Sequence, residues 1–307
     1  MSTAPGPDRR PRIDTSLVRR LVDAQFPQWS GLPLRLLDPA GSDHVIHRLG
    51  DELSVRLPRH SGAIGQAEKE WYWLPRLAPG LPLTVPEPVA VGRPALGYPW
   101  PWAVTRWLDG EVATVEGLGD STGTARELAA FLRALRAFDP GDAGGRGEAE
   151  GGGGDGGRAD PGSELAERDA GTRAAIAAVS GVFDAPALTA LWDAALAGPG
   201  HQGPPVWFHG DFHTGNLLTV GGRLSAVIDF GGFGLGDPSV DLMIAFTLMS
   251  PRARAVFRGA LGVDEATWLR GRGWALTTGL SAYTAYAATS PRIAEQTARQ
   301  IRAALAG

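Results

Sequence analysis

The stretch 207-WFHGDFHTGNLL-218 limits what this chain can fold into more than any other. Val206, Trp207 and Phe208 form an apolar approach and Leu217 and Leu218 an apolar exit, so the segment reads as strand, polar loop, strand. Two histidines, an aspartate and an asparagine sit between these runs. Polar groups at the end of a buried strand must be bonded or put to chemical use. A second apolar run, 224-LSAVIDF-230, follows a Gly-Gly turn and delivers Asp229, with Phe230 and Gly231 behind it.

These residue types suit phosphoryl transfer. An aspartate on a strand-supported loop can take the proton of an attacking hydroxyl. An asparagine oxygen and a second carboxylate can share a hard cation such as Mg2+. The reaction needs little more than positioning and charge neutralisation. Protein kinases carry H-R-D-x-x-x-x-N followed by D-F-G. Here His209-Gly210-Asp211 is followed by Asn216 and then by Asp229-Phe230-Gly231. Each residue alone has a plainer reading, since Asp and Asn favour turns and caps. The three together in this register favour chemistry, with His209 bracing the loop and His213 capping it or approaching phosphate.

The rest of the sequence excludes several other classes. The formal net charge of -4 lacks the cationic surplus that nucleic-acid backbones require. With no cysteine there is no disulfide and no thiolate metal site, which fits a cytoplasmic protein. No apolar run is long enough for a membrane span, and residues 1–12 read as a disordered tail with no signal-peptide core. A hydrolase built on His209 and Asp211 lacks a nucleophile motif such as G-x-S-x-G.

Along the chain, 14–26 reads as a helix capped by Asp14 or Ser16, and 43–59 as a β-hairpin around Gly50-Asp51. Residues 64–77 read as a helix that Pro75 ends or kinks. A Pro-studded connection over 79–92 leads to a strand at 102–108. Amphipathic helices follow at 124–138, 163–179 and 186–197, and helical patterns dominate after 238. The segment 141-GDAGGRGEAEGGGGDGGRADPG-162 has no Val, Ile, Leu or aromatic residue and reads as a flexible insertion. Asp237 before Pro238 reads as a helix N-cap. Trp71, Trp73, Trp268 and Trp274 read as core residues.

The string HGDFHTGNLL, with VIDFGGFGLGDPSVDL after it, resembles the aminoglycoside phosphotransferase family, kin of the protein kinases, and the resemblance covers nearly the whole chain. It implies an α+β, two-lobed protein-kinase-like fold: a strand-rich nucleotide-binding lobe over 1–105 and a mainly helical catalytic and substrate lobe over 106–307. ATP or GTP would be the donor and Mg2+ the cofactor. Asp211 would be the catalytic base, Asn216 and Asp229 the metal ligands, and His209, His213 and Asp241 the supports of the catalytic loop. Arg56 stands where the phosphate-binding lysine is common, with Glu70 as its helix partner and Glu68 as a competitor. A guanidinium is also a permanent cation that can fork onto phosphate oxygens. Ser42, in a loop that is not G-x-G-x-x-G, would meet phosphate, and Ala103 and Thr105 would lie near the adenine.

The resemblance implies a small hydroxylated acceptor, an aminoglycoside or other antibiotic, bound by a monomer or weak dimer. A polycationic acceptor calls for carboxylates, yet the segment 251–307 is net basic. Glu164, Glu167, Asp169 and Asp184 would have to compensate, so a macrolide, a sugar or another metabolite has equal room. A catalytically silent nucleotide-binding protein is the alternative from another class.

Overall fold

The computed structural model describes residues 11–37, 43–139 and 165–307, so Ser42, Glu164, most of the 1–12 tail and the 141–162 segment lie outside the described residues. The described residues fall into two compact units, 11–37, 43–79 and 84–109 in the first and 80–83, 110–139 and 165–307 in the second.

The first unit is a five-stranded antiparallel sheet with two helices. Helix α1 (Thr15–Gln25) starts where the Asp14 carboxylate accepts the Leu17 N–H at 2.9 Å. Its face of Leu17, Val18, Leu21 and Val22 is buried. Strands β1 (Leu34–Leu36), β2 (His44–Leu49), β3 (Leu53–Pro58), β4 (Pro88–Gly92) and β5 (Trp102–Arg106) run in the order β1-β2-β3-β5-β4. Strand alternation divides the sheet. Leu49, Leu53, Val55, Leu57, Trp102 and Val104 join the α1 core, while His44, Arg56, Ala103 and Thr105 belong to the opposite set. Helix α2 (Gln66–Leu77) brings Glu70 to Arg56.

Three sequence expectations need correction here. Helix α2 runs past Pro75 to Leu77, and Ala78 N still bonds Leu74 O, so the proline does not itself end the helix. The Pro-studded connection contains a strand, β4. It lies at the sheet edge, where a missing donor is tolerated. Trp71 is 47% exposed and is not a core residue, whereas Trp73, Trp268 and Trp274 are buried.

The second unit is mainly helical. It contains β6 (Glu111–Val112), α3 (Val115–Leu118), α4 (Thr122–Ala137), α5 (Asp169–Ala178) and α6 (Ala185–Ala197). Then come β7 (Val206–Phe208), β8 (Leu217–Val220), β9 (Arg223–Val227) and β10 (Gly234–Gly236), and finally α7 (Ile244–Thr247), α8 (Pro251–Leu261), α9 (Glu265–Tyr286) and α10 (Pro291–Ala306). The strand–turn–strand pattern of 204–230 resolves into two sheets. β7 pairs with β10, while β8 and β9 form a hairpin closed by Gly221 and Gly222, both with positive φ. Helix α9 is notched: a Cβ on Gly271 would lie 2.5 Å from Leu242 Cβ. That close approach seats the segment carrying Asp241.

Two stability predictions arise in the first unit. Leu96 and Gly97, φ 52° and 83°, form a two-residue turn between Ala95 and Tyr98, which exchange both backbone hydrogen bonds. Leucine resists this left-handed conformation and asparagine tolerates it. Leu96→Asn is expected to stabilise the protein by about 0.5–1 kcal/mol, read as a raised urea midpoint. Burial and the nearby Arg56 lower the His44 pKa from 6.5 to about 3. Below pH 6.5 the unfolded chain therefore takes up a proton that the folded chain refuses, so stability falls as the pH drops from 6.5 toward 3. Urea unfolding at pH 5 and pH 7 is expected to show that loss in the wild type, up to about 1.4 kcal/mol per pH unit from this ring. His44→Gln should flatten the slope.

Candidate active site

The polar loop begins where β7 ends. Asp241, fully buried in the 3-10 segment Pro238–Met243, accepts the His209 N–H on Oδ2 at 2.8 Å and the Gly210 N–H on Oδ1 at 2.9 Å. Burial pushes this carboxyl up, opposed by His209, by Arg136 and by the two N–H groups. Arg136, on α4, is half-buried and donates to Pro238 O at 3.0 Å. Gly210 turns the chain with φ 83°, a conformation that suits glycine.

The His209 ring is fixed at both ends. Its Nδ1 accepts the Asp211 N–H at 3.3 Å, so the proton sits on Nε2 and is donated to Ile228 O at 3.1 Å. Burial lowers its pKa, so it is a neutral brace. Phe230, next to Asp229, packs on this ring at 4.6 Å, and Phe212 stacks on Phe131 at 5.7 Å. These rings clamp the loop against α4 and against the chain that follows β9.

Asp211 itself is half-exposed. Asn216 Nδ2 donates to Asp211 O at 2.9 Å and to Asp211 Oδ2 at 3.0 Å. His213 Nε2 lies 3.5 Å from the same Oδ2, and His213 Nδ1 accepts the Gly215 N–H at 3.0 Å. Partial desolvation favours the neutral acid of Asp211, but the hydrogen bonds of His213 and Asn216 outweigh it and bring the pKa down to about 2. Desolvation lowers the His213 pKa, and the bond to Asp211 with the charges of Asp211 and Asp229 raises it on balance. Asp211 is therefore a carboxylate at neutral pH and a weak base.

The β8–β9 hairpin brings Asp229 back beside this loop. Leu217 pairs with Val227, and the Ile228 N–H bonds Asn216 O at 2.9 Å. Asp229 then takes φ 64°, which aspartate tolerates better than most residues. Among the described residues no group of three His, Cys, Asp or Glu could hold a metal ion. Asn216 and Asp229 each carry side-chain oxygen, the ligand type a hard cation takes.

In the first unit, Arg56 Nη1 donates to Glu70 Oε1 at 3.1 Å and Oε2 at 2.8 Å, with both side chains buried. Glu68 is exposed. Ala103 is the Cα partner of Arg56 across β3 and β5, and the Thr105 hydroxyl lies 2.6 Å from that of Ser54.

Sequence pattern missed several contributors. Arg136 is hidden because α4 announces only its apolar face. Asp237 does cap its segment, accepting the Ser239 N–H at 2.9 Å, but Arg270 also grips it, Nε to Oδ2 at 2.7 Å. Nothing local to either residue signals that pair. Several arginines of 251–307 are also spent internally. Arg254 donates to the carbonyls of Ala245, Ala303 and Gly307, Arg272 to Ala304 and Leu305, and Arg299 to Thr247. The arginines counted in that segment are therefore in part scaffold groups rather than free surface cations. Asp169 and Asp184 are engaged too, by Trp192 and Arg173 and as the cap of α6, while Glu167 is exposed.

A kinase-type catalytic loop in the mainly helical unit and a strand-rich unit carrying a buried Arg–Glu pair define a protein-kinase-like phosphotransferase fold. The GDP and kanamycin complex of APH(2")-IIia matches 94% of this chain and 97% of its own at 18% identity, with a TM-score of 0.69. The macrolide 2'-phosphotransferase MphH from Brachybacterium faecium matches at 24% identity, covering 91% and 98%, TM-score 0.58. The streptomycin–ATP–APH(2")-IIa ternary complex matches at 15% identity, covering 96% and 98%, TM-score 0.57. No curated protein matches the chain. The pattern that defines the phosphotransferase enzyme family, APH, matches residues 35–274, and the chain belongs to that family.

Asp241→Asn would turn one of two acceptors into an N–H2 group facing a backbone N–H. It is expected to cost about 2–3 kcal/mol, seen as a lowered melting temperature.

Proposed function

We propose that this protein is a small-molecule kinase that moves the γ-phosphoryl of ATP or GTP to a hydroxyl of its acceptor. The observation that carries this reading is Asp211, ionised, tethered through the loop to Asp241, and hydrogen-bonded by the Asn216 that would also serve a cation. Asp211 would align the attacking hydroxyl and take its proton as the new O–P bond forms. So weak a base fits a loose transition state in which the proton leaves late. Asn216, through its Oδ1, and Asp229 would hold Mg2+, which when bound neutralises the phosphate oxygens. Arg56, held by Glu70, would meet the nucleotide phosphates, and Ala103 and Thr105 would lie near the base.

Antibiotic inactivation is the leading role. The internal use of Arg254, Arg270, Arg272 and Arg299 supports keeping aminoglycosides among the acceptors. The solved relatives named above include enzymes for both aminoglycosides and macrolides. A cytoplasmic monomer or weak dimer is the expected state. A metabolite kinase is the second reading, favoured by the low identity to every one of those relatives.

Nucleotide diphosphate release with Mg2+ should rise when the acceptor is present in a panel of aminoglycosides, macrolides and hydroxylated metabolites. Asp211→Ala is expected to abolish that stimulated release, a loss of at least ~100-fold, while nucleotide binding persists. Asp229→Ala should instead lose Mg2+-dependent nucleotide binding, measured by calorimetry. Stimulated turnover equal to wild type in Asp211→Ala would refute the assignment.

A further inference from the structure

The two histidines of the loop share one arrangement. Each ring accepts, on Nδ1, the backbone N–H two residues ahead: His209 from Asp211 and His213 from Gly215. An Nδ1 that accepts cannot carry the proton, so both rings present Nε2–H. His209 aims that hydrogen at the backbone carbonyl of Ile228. His213 aims it at the side chain of Asp211, 3.5 Å from Oδ2. Asn216 Nδ2 reaches the same oxygen at 3.0 Å. Among the described residues no donor meets Asp211 Oδ1.

We propose that His213, as the Nε2–H tautomer set by Gly215, is a positioning residue that pins Asp211 by Oδ2 and so presents Oδ1 to the acceptor hydroxyl. The inference rests on the reading of Asp211 as the group that orients the acceptor. A carboxylate tied by one donor can still swing about its Cβ–Cγ bond. Two donors on one oxygen, from the middle and the end of the loop, fix the plane of the group. That places the lone pairs of the other oxygen in one direction, which an in-line transfer requires. Outer-shell partners that orient a reacting carboxylate commonly carry tenfold or larger effects.

Two substitutions separate the ring's two tasks. His213→Asn keeps an acceptor at the place of Nδ1 for Gly215 N–H but has no donor that reaches Asp211. His213→Gln puts an amide N–H near the place of Nε2 but gives up the cap. Steady-state kinetics on the full chain, with the acceptor found from the panel, should show kcat down roughly 10-fold in His213→Asn with KM for the nucleotide unchanged. His213→Gln should recover most of that loss. Wild-type kcat in His213→Asn together with a loss in His213→Gln would overturn the proposal, since the ring would then act only as a loop cap. A second readout needs no turnover: long-range 1H–15N spectra of the wild type should place the His213 proton on Nε2, and a proton on Nδ1 would overturn the proposal. If the wild type transfers no phosphoryl group to any acceptor, the kinase reading fails, and the spectra still decide the tautomer.

Discussion

Asp241 lies out of contact with solvent and spends one oxygen on each of two consecutive backbone N–H groups, those of His209 and Gly210. Everything in the candidate site hangs from those two bonds. They set the exit direction of the chain from β7, which places the His209 ring to brace Ile228 O, which in turn lies next to Asp229. A buried carboxylate is costly unless its partners are well placed. Here the partners are backbone atoms, and Arg136 adds positive charge close by. The loop is thus held by backbone groups that cannot change rotamer, a sound base for the half-exposed carboxylate of Asp211.

The fold was legible where local pattern and tertiary role agree. The β2–β3 hairpin, α1, α4 and the β8–β9 turn all carry period-2 or helical alternation with caps and glycines in place. β4 was not legible, because Pro86 and Pro88 read as loop unless the strand's edge position is known. Pro75 misled for the reverse reason, since its cost depends on how near the helix end lies. Within the site, Asp211, Asn216 and Asp229 stand out by spacing alone. Arg136 and Arg270 do not, because each acts on a residue far away in sequence. Tertiary partners of this kind leave no local periodicity.

The arginines of 251–307 show the gap between composition and available chemistry. Counting charges over 251–307 suggests a basic surface. Arg254, Arg272 and Arg299 instead donate to carbonyls at the ends of helices and loops. Burial lowers the pKa of each, and hydrogen bonds to carbonyl dipoles stand in for lost water. Such groups are part of the scaffold, with at least one donor of each committed to a backbone carbonyl.

The Asp241 tether also has an order in time. The loop at 209–216 leaves the ribosome well before the carboxylate that organises it, and Leu242 beside that carboxylate seats against Gly271 of α9. A nascent chain that has exposed only residues up to about 240 holds the reacting residues without the geometry that makes them useful. The site is therefore completed late in synthesis, after the helical tail emerges. By then β7 already has its strand partner β10 and the end of α4 to pack on, so what waits for the tail is the tether and not the strand.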